Sequence, residues 1–226
     1  MLVLALDSSA TASVALGQWT ADGVRLLGQC KTSDTRSHAE VMAPYVQQTL
    51  EQAQLTAKDL DAVLVGRGPG PFTGLRAGIM TARVLSFAHH IPCYGLMSLY
   101  TIAESAYEHA QEHQNQRFLV ATDARRREVY SAEFELTEHG YQLCTEPAVG
   151  SASNLKDLPV YGAGAGLYSN VLNAVADFTH VQPEAYGLLH AAWRLGQKNL
   201  KTETSALYLR ESDAKVPQSM VTAGTA

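Results

Sequence analysis

Two aspartates stand at matching points of two similar stretches. Asp7 follows the apolar run 3–6, is followed by Ser8 and Ser9, and a strand-like stretch resumes over 13–16; Asp123 follows the run 118–122, is followed by Ala124 and Arg125, and a strand-like stretch resumes over 128–136. A carboxylate at a strand end, beside a turn with free backbone N–H groups, is suited to holding a magnesium ion or a water next to a phosphate. Two such hairpins facing each other form a pincer for phosphate groups. One chemistry open to the chain is therefore phosphoryl transfer, with Asp7 and Asp123 holding magnesium and ATP.

The other chemistry-bearing groups are sparser. The stretch Gly66, Arg67, Gly68, Pro69, Gly70, Pro71, Phe72, Thr73, Gly74, Leu75, Arg76 places a backbone-exposing turn between a strand and a helix start, a ready anion site. It lacks both the Gly-Lys-Ser/Thr ending of a Walker loop and the spacing of a dinucleotide fingerprint. Ser8, Ser9 and Thr73 have no histidine nearby in sequence and read as turn and cap residues. His38 is followed at the i+4 position by Met42, a poor ligand for hard or borderline metals; His89 and His90 diverge on a helix; His109 and His113 share a face but read as a solvated helix end. Arg125, Arg126 and Arg127 are the one dense basic run, able to steer RNA or nucleotide phosphates.

The elements that must position these groups follow from periodicity. Strands are expected at 3–7, 13–16 and 26–31, then a helix opened by the S-x-x-E box at 37–40, with Val41, Met42, Tyr45, Val46, Leu50 and Ala53 at helical spacing and Pro44 bending it. A buried strand at 62–66 leads through the glycine loop to a helix over 73–90, a strand at 91–95, and a helix capped by Ser98 with Leu99, Ile102, Ala103, Ala106, Tyr107 and Ala110 on one face. Polar 112–116 breaks the pattern, and the order repeats: strands at 118–123, 128–136 and 141–145, a short helix at 152–156, a strand at 159–162, a helix bearing Leu167, Val171, Ala174, Val175 and Phe178, a strand at 179–182, and a helix over 183–200. Two βββαβαβα lobes of an α/β protein are expected, at 1–113 and 114–211, with a mobile tail at 212–226. The 226 residues are 46% hydrophobic and 17% charged with a net charge of −5, which favours a globular chain over a disordered one or a free-standing nucleic-acid binder. Three scattered cysteines support neither a disulfide framework nor a zinc knuckle, no leader is evident, and no apolar run nears the roughly 20 residues of a membrane span. A cytoplasmic protein without membrane contact is expected.

Four ordered motifs give a resemblance. Leu4–Ser9, the glycine loop from Gly66 to Arg76, Asp123–Tyr130 and Tyr208–Arg210 are similar to L-A-L-D-[ST]-[SA], G-R-G-P-G-S-F-T-G-x-R, D-A-R-x-x-E-V-Y and Y-L-R of the TsaB (YeaZ) family, the non-catalytic member of the bacterial tRNA threonylcarbamoyladenosine machinery; Pro71 stands where that family has a serine. The resemblance implies an actin-like, sugar-kinase-like ASKHA fold of two RNase H-like lobes. It places Asp7 and Ser8 on one side of an interlobe nucleotide cleft and Asp123 on the other, with Gly162 and Gly164 near an adenosine. It also implies that no cofactor is required, with the cleft open to weak ATP or ADP binding. The catalytic relative, TsaD, holds its metal with two histidines three residues apart, and that pair is missing here; a zinc peptidase, suggested by distant kinship, is undercut on the same ground.

The helix after the glycine loop carries small residues, Gly74, Ala77, Gly78, Thr81 and Ala82, and a second stripe of Arg76, Met80, Arg83 and Phe87. Small residues admit a second helix, and Met, Phe and Arg suit an interface. With Val41, Met42 and Tyr45 of the preceding helix they form the expected contact surface. The resemblance implies that it binds a TsaD-type transferase or a second copy of this chain and supports recruitment of a TsaE-type ATPase, with tRNA met only through the complex. The expected function is that of a scaffold or activator and not of an enzyme.

Overall fold

The computed structural model describes residues 1–33 and 38–210. In chain order the elements are β1 (Leu2–Asp7), β2 (Ser13–Trp19), β3 (Val24–Lys31), α1 (His38–Gln52), β4 (Ala62–Gly66), α2 (Phe72–His89), β5 (Cys93–Leu96), α3 (Tyr100–Glu112), β6 (Arg117–Asp123), β7 (Glu128–Thr137), β8 (Gly140–Leu143), β9 (Ala148–Ser151), β10 (Val160–Tyr161), α4 (Ala163–Leu167) and α5 (Ala185–Leu195), with short 3-10 turns between several of them. The first sheet has the order β3-β2-β1-β4-β5, antiparallel across β1–β2–β3 and parallel across β1–β4–β5. The second has the order β10-β6-β7-β8, with β9 also paired to β7.

The strands at the centre of the first sheet are apolar on both faces because both faces are covered. Leu4, Leu6, Val63 and Val65 meet Met42, Val46 and Leu50 of α1 and Leu75, Ile79 and Ala82 of α2. Val3, Ala5 and Leu64, one residue out of step, meet Leu188, Leu189, Ala191 and Ala192 of α5. The second sheet repeats the arrangement: Phe118, Val120, Ala132 and Phe134 pack against Leu99, Ile102, Ala103, Ala106, Tyr107 and Ala110 of α3, and Leu119, Ala121 and Val129 lie over Ala165 and Leu172. The helix from the first half of the chain thus covers the second sheet, and the last helix covers the first.

α3 and α5 meet where they cross between the sheets. Gly187 lies against Thr101, so close that a Cβ there would come within 3.0 Å of the Thr101 Cβ. Arg194 forms a two-pronged ion pair with Glu104, at 2.9 and 2.8 Å, and its guanidinium lies 4.3 Å above the Tyr107 ring. Tyr141 donates a third hydrogen bond to Glu104 at 2.8 Å. Burial, then the Glu104 charge, pushes the Tyr141 phenol well above its ordinary range.

Several local expectations are corrected. Ser37 of the S-x-x-E box and the tail at 212–226 lie outside the described residues. α1 runs through Pro44 without a break. Ser98 does not cap α3: its hydroxyl accepts from the Gly68 amide at 3.1 Å, and the N-cap position falls to Leu99. The stretch 152–156 contains only a 3-10 turn, Ala152–Asn154, and it is preceded by the strand β9, which the sequence pattern does not signal. The expected helix through Phe178 stops at Leu167, after which 168–184 follow an irregular course anchored by Ala163 N to Val181 O at 2.8 Å and Gly162 N to Phe178 O at 3.2 Å. That course replaces the strand expected at 179–182, and α5 is shorter than 183–200 because Gly196 ends it with φ 79°. The helix end at His109 and His113 is solvated only in part: His113 is exposed, whereas His109 is half-buried, its ring stacked on His113 at 3.9 Å and its Nδ1 3.0 Å from the Tyr161 hydroxyl, because the last turn of α3 packs on Tyr161 and Phe178.

Candidate functional site

The two hairpins are built alike. Asp7 pairs with Ser13 and Asp123 with Val129, enclosing turns of equal length, 8–12 and 124–128. In each, the aspartate Oδ1 accepts the amide of the residue two positions on, Ser9 or Arg125, at 2.8 Å. Such Asx turns end a strand and reverse the chain without help from distant residues.

Their surroundings differ. Asp7 is fully buried; Oδ1 also accepts the Ser9 hydroxyl at 2.6 Å, and Oδ2 has no hydrogen-bond partner among the described residues. Gly66 lies directly against it, so that a Cβ there would overlap Oδ2. Burial raises the Asp7 pKa, opposed by the Ser9 and Ser98 hydroxyls, the Ser9 amide and, more weakly, His38. Ser8 is committed as well: its hydroxyl donates to Gly74 O at 2.8 Å and accepts from Gly78 N at 3.2 Å, fastening α2 to the first turn. Gly78 makes this approach possible, since a Cβ would overlap the Ser8 hydroxyl. Gly70 sits on the Ser9 backbone, and His38 Nε2 lies 3.2 Å from Ala10 O. A magnesium ion needs accessible carboxylate oxygens and room for its retained waters. The Asp7 carboxylate, saturated on one oxygen and pressed against Gly66 on the other, does not fit that role.

Asp123 is 31% exposed, and its Oδ2 lies 3.3 Å from the Arg125 guanidinium. Arg125, Arg126 and Arg127 have φ of 62°, 55° and 64°, a left-handed run that costs non-glycine residues about 1–2 kcal/mol each. The turn is closed by Ala124 N to Glu128 O and Glu128 N to Arg125 O, both 3.0 Å, and clamped from outside by Arg210, which donates to Ala124 O at 3.3 Å and pairs with Glu128. Gly162 and Gly164 lie at the start of α4, packed against the β6 backbone at Ala121 and Thr122.

The glycine loop is held from two sides. Arg67 N donates to Leu96 O, and Ser98 N to Gly68 O, both at 2.8 Å. On the other side runs a strap, residues 201–210. Gly95 N donates to Lys201 O at 2.9 Å, Arg83 Nε to the Thr204 hydroxyl, Arg67 Nε to Ser205 O and Leu207 N to Arg67 O, each at 2.8 Å. Tyr208 then stacks on Phe72 at 5.2 Å, with Arg76 lying 3.7 Å over the Phe72 ring. The strap joins the glycine loop to the Asp123 turn. Of it the sequence signalled only Tyr208–Arg210; Ser98 was marked as a helix cap and not as a partner of the loop, and nothing in the pattern marked Thr204 or Ser205.

The α2 residues divide sharply. Gly74, Gly78 and, on α1, Met42 are turned into the chain's own packing; Ala77, Thr81, Val41 and Tyr45 are half-buried. Thr73, Arg76, Met80, Arg83, Val84 and Phe87 form an exposed stripe, with Met80 at 54% and Phe87 at 82% exposure. A cavity of about 460 Å³ lies elsewhere, between α3, α5 and residues 180–184, lined among others by Glu104, Glu108, Tyr186 and His190; none of the residues singled out from sequence lines it. Burial lowers the His190 pKa, and its Nε2 has no partner among the described residues. Among those residues no group of three or more histidine, cysteine, aspartate or glutamate side chains could hold a metal, and no helix is long and apolar enough to cross a membrane.

A mixed 3-2-1-4-5 sheet, echoed by a second with the same Asx-turned hairpin and with helices exchanged between them, defines the ASKHA class of RNase H-like folds. A family model described as TsaD, tRNA N6-adenosine threonylcarbamoyltransferase, matches residues 26–203. An uncharacterised protein of Mycobacterium tuberculosis is 38% identical over 213 residues, 94% of this chain and 93% of that protein. The tRNA threonylcarbamoyladenosine biosynthesis protein TsaB of Escherichia coli is 34% identical over 140 residues, 62% of this chain and 58% of that one. The solved structure of YeaZ from Pseudomonas aeruginosa superposes with a TM-score of 0.74 at 27% identity, covering 92% of this chain and 99% of that one. The chain belongs to the TsaB (YeaZ) family.

Proposed function

We propose that this chain is a non-catalytic subunit of tRNA threonylcarbamoyladenosine biosynthesis, acting in the cytoplasm by binding a TsaD-type transferase and holding it in a competent state. The observation that carries this reading is the contrast between the two faces of α2. One face is bonded through Ser8 to a hairpin whose aspartate is buried and closed off, while the other exposes Met80, Val84 and Phe87. Apolar side chains in one line on a helix suit association through that helix. The names of the TsaB relatives support the pathway.

Catalysis by the chain itself is disfavoured by two features. Where the transferase resemblance calls for a second histidine four residues after His38 there is Met42, buried in the core between α1 and the sheet. A phosphotransferase would need Asp7 open to magnesium, and it is not. Any adenine nucleotide is held weakly, from the Asp123 side, and is not required. A TsaE-type ATPase and a second copy of this chain are further partners; the copy would compete for the α2 stripe. The test is to mix the purified chain with the transferase and with ATP and magnesium separately: a stable complex and no ATP turnover are expected, whereas steady ATP hydrolysis without a partner, or failure to associate, would refute the reading.

A further inference from the structure

We propose that the strap, the start of α2 and the β6–β7 turn together form a basic and aromatic ribbon that binds an unpaired segment of RNA. In a chain of net charge −5, five arginines, Arg67, Arg76, Arg125, Arg127 and Arg210, stand on or against these three segments. Among the described residues the carboxylates beside them are few: Asp123 is paired with Arg125 and Glu128 with Arg210, while Glu203 lies in the field of Arg67 and Arg83. Arg67, Arg76 and Arg127 have no carboxylate at ion-pair distance among the described residues. Between these cations lie two stacked rings that remain half open to solvent, Phe72 at 52% and Tyr208 at 46% exposure.

This is the composition by which proteins hold single-stranded nucleic acid: guanidinium groups for the phosphates and a pre-set aromatic face for a base. An acidic protein surface would use the charges but has no need of the exposed ring pair. From Ser205 to Arg210 the strap spans at most about 20 Å, the reach of a few nucleotides. The ribbon is built before any ligand arrives, because Arg67 is fixed to Ser205 O, Arg76 to Phe72, and Arg210 to the turn. The inference rests on the function proposed above, in which the substrate is a tRNA, and extends it by giving this subunit a direct contact with that RNA.

The experiment titrates a fluorescein-labelled RNA stem–loop into the complex of this chain with the transferase, by anisotropy at several potassium chloride concentrations. Arg76→Ala with Arg127→Ala should weaken binding at least tenfold at low salt and reduce the slope of log K against log salt by about 1.4, or about 0.7 for each phosphate that is no longer neutralised. Tyr208→Ala should weaken binding about tenfold with the slope unchanged, and Tyr208→Trp, which keeps a stacking face, should restore it. Unchanged affinity and slope in all variants would overturn the ribbon while leaving the subunit assignment standing if modification still needs the chain. Loss of the transferase from the variant complexes, with the RNA affinity of the isolated chain unaltered, would mark the ribbon as a protein-docking face and overturn it too.

Discussion

Replacing Phe87 by alanine separates association from folding more cleanly than any other change on α2. Phe87 is 82% exposed, so truncation removes little from the chain's own core, and the stability change should stay within about 0.5 kcal/mol. Fully burying a phenylalanine side chain is worth about 1.5–3 kcal/mol, and roughly four-fifths of that remains to be gained by covering Phe87, about 1.2–2.5 kcal/mol. The expected loss of affinity for the transferase is therefore about 8- to 70-fold. Met80→Glu should add a larger loss, because it places a charge in the same interface. Arg83 is a poorer choice, since its Nε holds the Thr204 hydroxyl and its replacement would disturb the strap. Titration calorimetry gives the dissociation constant and urea unfolding the stability. A drop in urea midpoint with unchanged affinity would refute the reasoning by making Phe87 part of the chain's own fold, and no change in either quantity would remove α2 from the interface.

Three further outcomes follow from the interior. Asp7→Asn should leave support of modification intact and make stability less dependent on pH: the raised pKa of folded Asp7 means that the wild type is most favoured while the carboxyl is protonated and loses stability as pH rises above about 4 through the folded value, a loss that asparagine lacks; urea midpoints across pH read it. Arg194→Ala removes both bonds to Glu104 and the stack on Tyr107, and should cost about 2–3 kcal/mol in urea unfolding, against little change if α3 and α5 do not cross as described. Gly66→Ala drives a methyl group into Asp7 Oδ2 and should lower stability by about 3 kcal/mol or prevent folding, and Asp7→Ala in the same chain should recover part of the loss.

The aspartate hairpins were legible because an Asx turn is a local device: an apolar run, an aspartate and a turn state it within a few residues, and the same was true twice. The apolar faces of α1 and α3 were legible for the same reason, as their spacing repeats every turn. Periodicity, however, says that a face is buried and not what buries it. The exchange by which α3 covers the second sheet and α5 the first left no trace in the pattern. Residues 163–183 misled because Leu167, Val171, Ala174, Val175 and Phe178 keep a helical interval while Gly162, Gly164 and Gly166 lower the cost of leaving the helix, and tertiary bonds to Phe178 and Val181 decide the outcome. The small residues of α2 read as an invitation to another helix, yet Gly74 and Gly78 are where Ser8 of the same chain comes in. The strap has no period at all; its order comes from Arg67, Arg83 and Arg210, three arginines far apart in sequence from what they hold.

The most direct test of the account is an add-back of this chain to purified transferase, threonylcarbamoyl donor and unmodified tRNA, with modified adenosine measured by mass spectrometry. The account predicts modification only when transferase and chain are both present, none from the chain alone, and full support from the Asp7→Asn form. Equal modification without the chain, or turnover by the chain unaided, would contradict it.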